Sequence, residues 1–128
     1  MNKTGKIIVQ LGRYPERHEL ETAEIFVSQG IDVIFLPESR TIGAKSADIE
    51  MNGVVWEMKS PTGNGKNTIK RLFEKASKQA QNIIFDFRRC PIQRSNILSV
   101  VNTEWEKRRN IKRLIIILKG NERLDFSR

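Results

Sequence analysis

The sequence predicts an α/β fold with a mixed central sheet flanked by helices. Apolar runs of strand length ("IDVIFLP", "IIFDFRR", "RLIIILKG") alternate with stretches of helical periodicity. Asn52-Gly53 separates two short strand-like runs, the strongest short hairpin signal. No repeat, low-complexity segment or internal linker interrupts this order, so residues 1–128 read as one domain, long enough to bury a real core.

Each element has its own signal. "PERHELETAEIFVSQG" predicts a helix: Pro15 suits its start, Leu20, Ala23 and Ile25–Val27 give an apolar side, and Gly30 stops it. "IDVIFLP" is a short strand ended by Pro37, and "ESRTIGAK" is a loop. The hairpin follows, then the polar, glycine-rich loop "SPTGNGKN". Asn67 or Thr68 caps a helix running to about Asn82, with Ile69, Leu72, Phe73, Ala76 and Ala80 as its buried stripe. Arg71, Lys75 and Lys78, spaced four and three apart, share its other side. "IIFDFRR" is a buried strand with a polar end, "SNILSVVNTEWEKRR" a second amphipathic helix, and "RLIIILKGNERLDF" a strand, turn and strand.

Composition excludes several classes. No apolar run reaches the roughly 18 residues that a membrane span requires, and the N-terminal run "IIVQL" lacks the cleavage site of a secretory signal. A single cysteine, Cys90, forbids an internal disulfide and points to a reducing compartment; it reads as inert. With one histidine, His18, it also excludes a structural zinc site of the usual Cys/His kind. Any metal would need carboxylates, which favours Mg²⁺ or Mn²⁺ over Zn²⁺. Charge divides unevenly: residues 1–58 carry 6 basic and 9 acidic side chains, residues 59–128 carry 17 and 6. A balance of −3 beside one of +11 suggests a polyanionic partner next to a local acidic cluster.

The hairpin concentrates the chemistry. If Asn52-Gly53 is a two-residue turn, Met51 pairs with Val54, Ile49 with Trp56 and Ala47 with Met58, a coherent core face. The opposite face then sets Glu50 against Val55, Ser46 against Lys59 and Asp48 directly against Glu57. Facing carboxylates with Cβ atoms about 4.5–5.5 Å apart destabilise a sheet unless a cation joins them. Lys59 lies two residues along from Glu57, on the same face.

Acid, hairpin and Glu-x-Lys ("EMK", residues 57–59) resemble the signature of the PD-(D/E)XK nuclease superfamily, with Asp48 at the motif aspartate, although Ala47 replaces the proline before it. The resemblance implies a restriction-endonuclease-like core and a glutamate from the preceding helix at the site: Glu19, with Glu21 as its rival. Longer phrases, "LGRYPERHELETA", "WEMKSP" and "KASKQAQNIIFDFRR", resemble the C-terminal tRNA nuclease domains of CdiA-type contact-dependent inhibition toxins, from about Leu11 to Phe126. This implies a toxin that cleaves tRNA in the target-cell cytoplasm and is neutralised by a cognate immunity protein. No delivery region is present, so the chain is expected to be either an excised toxin domain, delivered within a larger secreted protein, or a free-standing relative.

On that reading Glu19, Asp48 and Glu57 hold one or two Mg²⁺ ions, or Mn²⁺. Lys59 orients the attacking water or stabilises the charged intermediate, leaving 5′-phosphate and 3′-hydroxyl ends. Lys45, Lys66, Arg71, Lys75 and Lys78 are candidates for backbone phosphate contacts. His18 reads as a capping or surface residue or an acid–base group, Trp56 and Trp105 as packing, and Asp86 with Arg88 and Arg89 as an ion pair or substrate contact. A DNA endonuclease of the same fold would use every one of these catalytic residues. A non-catalytic basic RNA-binding module would usually expose more aromatics than this chain supplies. Nothing in the sequence sets an oligomeric state.

Overall fold

The structure, a computed structural model, describes residues 4–38, 47–65 and 67–128. The expected alternation of strand and helix is present: seven strands and three α-helices occur among the described residues. The chain divides into two compact units, Met1–Met58 and Lys59–Arg128. That boundary is also where the charge balance changes sign.

In the first unit the strand order is β1 (Ile7–Val9), β2 (Val33–Phe35), β3 (Ile49–Met51) and β4 (Val54–Lys59), whose last residue opens the second unit. β1 and β2 are parallel, joined through α1 (Arg17–Val27), and the remaining pairs are antiparallel. Strand β1 forms from "IIV", a short apolar run with no further strand signal of its own; Ile8 and Val9 stay exposed. Helix α1 buries Thr22, Ala23, Ile25 and Phe26. It ends three residues before Gly30, whose φ of 85° takes the backbone where a side chain would be strained.

The hairpin register is as the turn chemistry dictates. Asn52 and Gly53 have φ of 50° and 80°, the two positive values of a type I′ turn, and Met51 pairs with Val54, Glu50 with Val55 and Ile49 with Trp56. Ile49, Met51 and Trp56 are buried, whereas Val54 and Met58 are half-buried.

The second unit contains α2 (Thr68–Gln79), β5 (Asn82–Asp86), α3 (Arg94–Lys107), β6 (Arg113–Leu118) and β7 (Glu122–Ser127). β5 and β6 are parallel, which requires a crossover, and α3 supplies it; β7 returns antiparallel on β6 after a tight turn. Phe73 of α2 stacks on Phe85 at 4.5 Å between ring centroids, and Phe85 on Phe87 at 5.4 Å. Ile69, Phe73 and Ala76 are buried and Leu72 and Ala80 partly so, which is the stripe that periodicity predicts. Helix α2 stops three residues before Asn82, which instead opens β5.

Candidate active site

The site is built around a residue that sequence patterning did not single out. Gln10 to Arg13 form a β-turn closed by the Arg13 N–H to the Gln10 carbonyl at 3.1 Å, with Gly12 at φ 89° in the third position. The Gln10 N–H is itself tied to the Phe35 carbonyl at 3.1 Å. This turn sends the Arg13 side chain inward, where only 5% of it stays exposed. Its guanidinium lies 5.6 Å from the Phe35 ring centroid.

Two carboxylates meet that guanidinium. Arg13 Nη2 donates to Glu19 Oε2 at 2.7 Å, a short charge-assisted bond, and Nη1 lies 3.5 Å from Asp48 Oδ1, a longer and weaker contact. The other oxygen of each acid is held by backbone. Glu19 Oε1 accepts the Glu16 N–H at 2.9 Å, the capping interaction at the start of α1, and Asp48 Oδ2 accepts the Met58 N–H at 2.7 Å. Arg13 Nε is buried with no hydrogen-bond partner among the described residues. Glu21, the rival acid, is exposed and pairs with Arg17 at 3.1 Å.

The pairing expected at Asp48 changes here. The ladder ends at Ile49 with Trp56, and the Asp48 N–H donates to the Trp56 carbonyl at 3.0 Å. Two residues of one strand therefore address one residue of the other, the count of a β-bulge, so Asp48 is not set squarely against Glu57. Its side chain satisfies the Met58 amide in place of a ladder carbonyl.

A cleft of about 440 Å³ opens over this cluster, lined by Arg13, Tyr14, Glu16, His18, Glu19, Glu38 and Asp48. Half-buried His18 places Nδ1 3.3 Å from Glu16 Oε2. Glu57 and Lys59 are half-buried in β4, two residues apart and so on one side of the strand. The structure thus joins Glu19 and Asp48 through Arg13. No group of three or more His, Cys, Asp or Glu side chains arranged to hold a metal ion occurs among the described residues. As they stand, these side chains do not fit the expected three-carboxylate metal site, because a guanidinium already lies between two of the acids and backbone amides take their other oxygens.

Among the expected phosphate contacts, Arg71, Lys75 and Lys78 are all exposed on α2, with Lys78 3.9 Å from Glu74. Lys45 and Lys66 lie outside the described residues. Asp86 is 3% exposed and receives Arg88 through Nη2 at 2.7 Å, Nε at 3.0 Å and the backbone N–H at 3.0 Å, a structural ion pair. Arg89 bonds the Ser60 hydroxyl at 3.0 Å and the Ser60 carbonyl at 2.8 Å, which anchors the loop after β4. Buried Cys90 contacts the Gly63 carbonyl at 3.6 Å.

The described residues form a mixed α/β fold in which a helix glutamate and a hairpin aspartate converge on one cleft. Residues 45–123, more than half of the chain, match the contact-dependent growth inhibition CdiA C-terminal domain, and the chain belongs to that family. Among solved structures it is similar to a chain of the CdiA-CT/CdiI toxin and immunity complex from Burkholderia pseudomallei. That match has a TM-score of 0.71 and 22% identity, covering 97% of this chain and 100% of that one. The likeness establishes the fold. No curated protein matches the sequence.

Proposed function

We propose that this chain is the toxin of a contact-dependent inhibition system, delivered as part of a larger secreted protein. In this reading it is a nuclease of the PD-(D/E)XK type that cleaves tRNA in the target-cell cytoplasm and is held inactive by a cognate immunity protein. Family membership supports the toxin role, and a chain of the same fold is found in a toxin and immunity complex. The observation that carries the nuclease reading is the convergence of Glu19 from α1 and Asp48 from the hairpin on one cleft, followed along β4 by Glu57 and Lys59. Lys59 supplies a positive charge where a phosphodiester gains negative charge in its transition state. The basic second unit, with Arg71, Lys75 and Lys78 exposed, suits the phosphate backbone of an RNA. Dependence on Mg²⁺ or Mn²⁺ belongs to the proposal as a separately testable part.

The test is incubation of purified protein with total tRNA and with plasmid, in Mg²⁺ and in EDTA, followed by mapping of the product ends. The expected result is tRNA cut only in Mg²⁺, with 5′-phosphate and 3′-hydroxyl ends and intact plasmid. Plasmid nicking beside intact tRNA would overturn the tRNA reading in favour of a DNA endonuclease. Cleavage that persists in EDTA and leaves cyclic phosphates would overturn the metal requirement. A Lys59→Ala protein that cuts at the wild-type rate would show that the site lies elsewhere.

A further inference from the structure

We propose that the cavity between the glycine-rich loop and α3 receives one base of a single-stranded stretch of RNA, with the adjoining phosphate held at Lys70. The proposal rests on the RNA reading above for the class of ligand, and it adds a site built wholly from the second unit. The cavity measures about 490 Å³, inside the range of small-ligand clefts. Ile69, Ile92 and Val100 give it apolar surface against which a flat ring can pack, and Asn64, Gln93, Asn96 and Ser99 give it amides and a hydroxyl. Gln93, Asn96 and Val100 recur at three and four positions and so line one side of α3. Gln93 stands at the N-cap without a side-chain capping bond, which leaves its amide available to a ligand. Among the described residues no charged side chain lines the cavity, so it suits a neutral ring that both donates and accepts hydrogen bonds.

Its walls are fixed in advance. The Gly65 carbonyl accepts the Thr68 N–H at 3.1 Å, and a Cβ at Gly63 or Gly65 would come within 3.1 Å of Thr68 Oγ1, so the loop lies directly on the start of α2. On the other side the Cys90 carbonyl accepts a hydrogen bond from Lys119, and the Cys90 thiol meets the Gly63 carbonyl at 3.6 Å. A second hollow of about 210 Å³ shares Ser99 and Val100 with the first and adds Lys70 and Lys107. Its acid, Glu104, is 2% exposed and already answered by Arg108 at 2.9 Å and Lys107 at 3.7 Å, so exposed Lys70 keeps its charge for a phosphate. A neutral cavity beside a cationic one matches a nucleotide, base in the first and phosphate in the second. The unit around them carries 17 basic and 6 acidic side chains, a balance that draws a polyanion.

The experiment is a titration of the full chain, followed by proton–nitrogen correlation spectra, with adenosine, cytidine, guanosine and uridine 5′-monophosphates, the matching nucleosides and inorganic phosphate, each alone at millimolar concentration. At least one monophosphate is expected to shift the side-chain amides of Asn64, Gln93 and Asn96, and its nucleoside to shift the same amides more weakly. Asn96→Ala, at an exposed helix position where alanine is well tolerated, should weaken that monophosphate about tenfold, the scale of one amide contact to a base edge. Lys70→Gln should weaken the monophosphate and leave the nucleoside unchanged. No shift of those amides by any monophosphate overturns the proposal, as does inorganic phosphate that reproduces every shift. Shifts with the cognate immunity protein and none with any nucleotide would assign the cavity to that partner instead. If a variant unfolds, which the same spectra show, the wild-type titration still decides. Parallel tRNA cleavage separates this inference from the nuclease reading. Cleavage by wild type with no nucleotide shift overturns the inference alone. Amide shifts with no cleavage by wild type overturn the nuclease reading alone.

Discussion

Replacing Asp48 separates its structural work from its proposed chemistry. Its Oδ2 accepts the partly buried Met58 amide at 2.7 Å, and its Oδ1 lies 3.5 Å from Arg13. In Asp48→Ala that amide has no acceptor, and a buried donor left unsatisfied costs about 1–3 kcal/mol. Partial exposure places this amide in the lower part of the range, about 1–2 kcal/mol. The Arg13 contact adds little, because it is long and Glu19 still holds the guanidinium at 2.7 Å. For a chain of this size the loss corresponds to a melting temperature lower by about 3–10 °C. Asp48→Asn keeps an oxygen acceptor in nearly the same place, so its cost should stay below about 1 kcal/mol. Both variants should lose tRNA cleavage by about 100-fold or more, the scale for removing one group at a reacting centre. Thermal melts and single-turnover cleavage of total tRNA on gels read the two effects separately. An alanine variant that melts with wild type refutes the Met58 anchor. An asparagine variant as unstable as the alanine one refutes the substitution of acceptor for acceptor. Wild-type cleavage by either refutes the site.

Two further outcomes follow from the second unit. Asp86→Ala strands Arg88 beside a 3% exposed position; breaking a fully buried pair costs about 3–5 kcal/mol, and because Arg88 is 24% exposed the expected loss is about 2–3 kcal/mol by urea denaturation. A loss under about 1 kcal/mol would contradict the ion-pair assignment. Glu122 is held below the ordinary glutamate range by its hydrogen bond from Arg94, reinforced by the charge of that guanidinium and opposed by slight desolvation. Because the folded-state value is the lower one, the pair contributes stability above the unfolded glutamate pKa and loses it as pH falls through the folded value. Glu122→Gln should therefore flatten part of the acid limb of a melting temperature against pH curve, and by less in high salt. Identical acid limbs would count against the pair.

The order of elements was legible because its signals are local. The stripe of Ile69, Phe73 and Ala76 is a helical period, and Asn52-Gly53 sets both the turn and the register beside it. Strand β1 was not legible, since three half-buried or exposed apolar residues carry no period and its pairing with β2 depends on a segment more than twenty positions away. The candidate site was legible in part. Asp48, Glu57 and Lys59 stand out by residue type and spacing, Glu19 only through the family resemblance, and in the structure Glu19 contacts Arg13 while Glu21 pairs with Arg17. The bulge at Asp48 was not, because alternation assumes an unbroken ladder.

From sequence alone came the division into an acidic first part and a basic second part and the hairpin register from Ile49 to Trp56, each a matter of composition or turn residues. Only tertiary structure decided what lies between Glu19 and Asp48. Arg13 is 35 positions from Asp48, on a turn with no periodic pattern, and its role arises because that turn, the start of α1 and the bulged hairpin bring their charges together out of bulk water. Where charges are buried, partners are chosen by packing across the chain, and no local spacing encodes them.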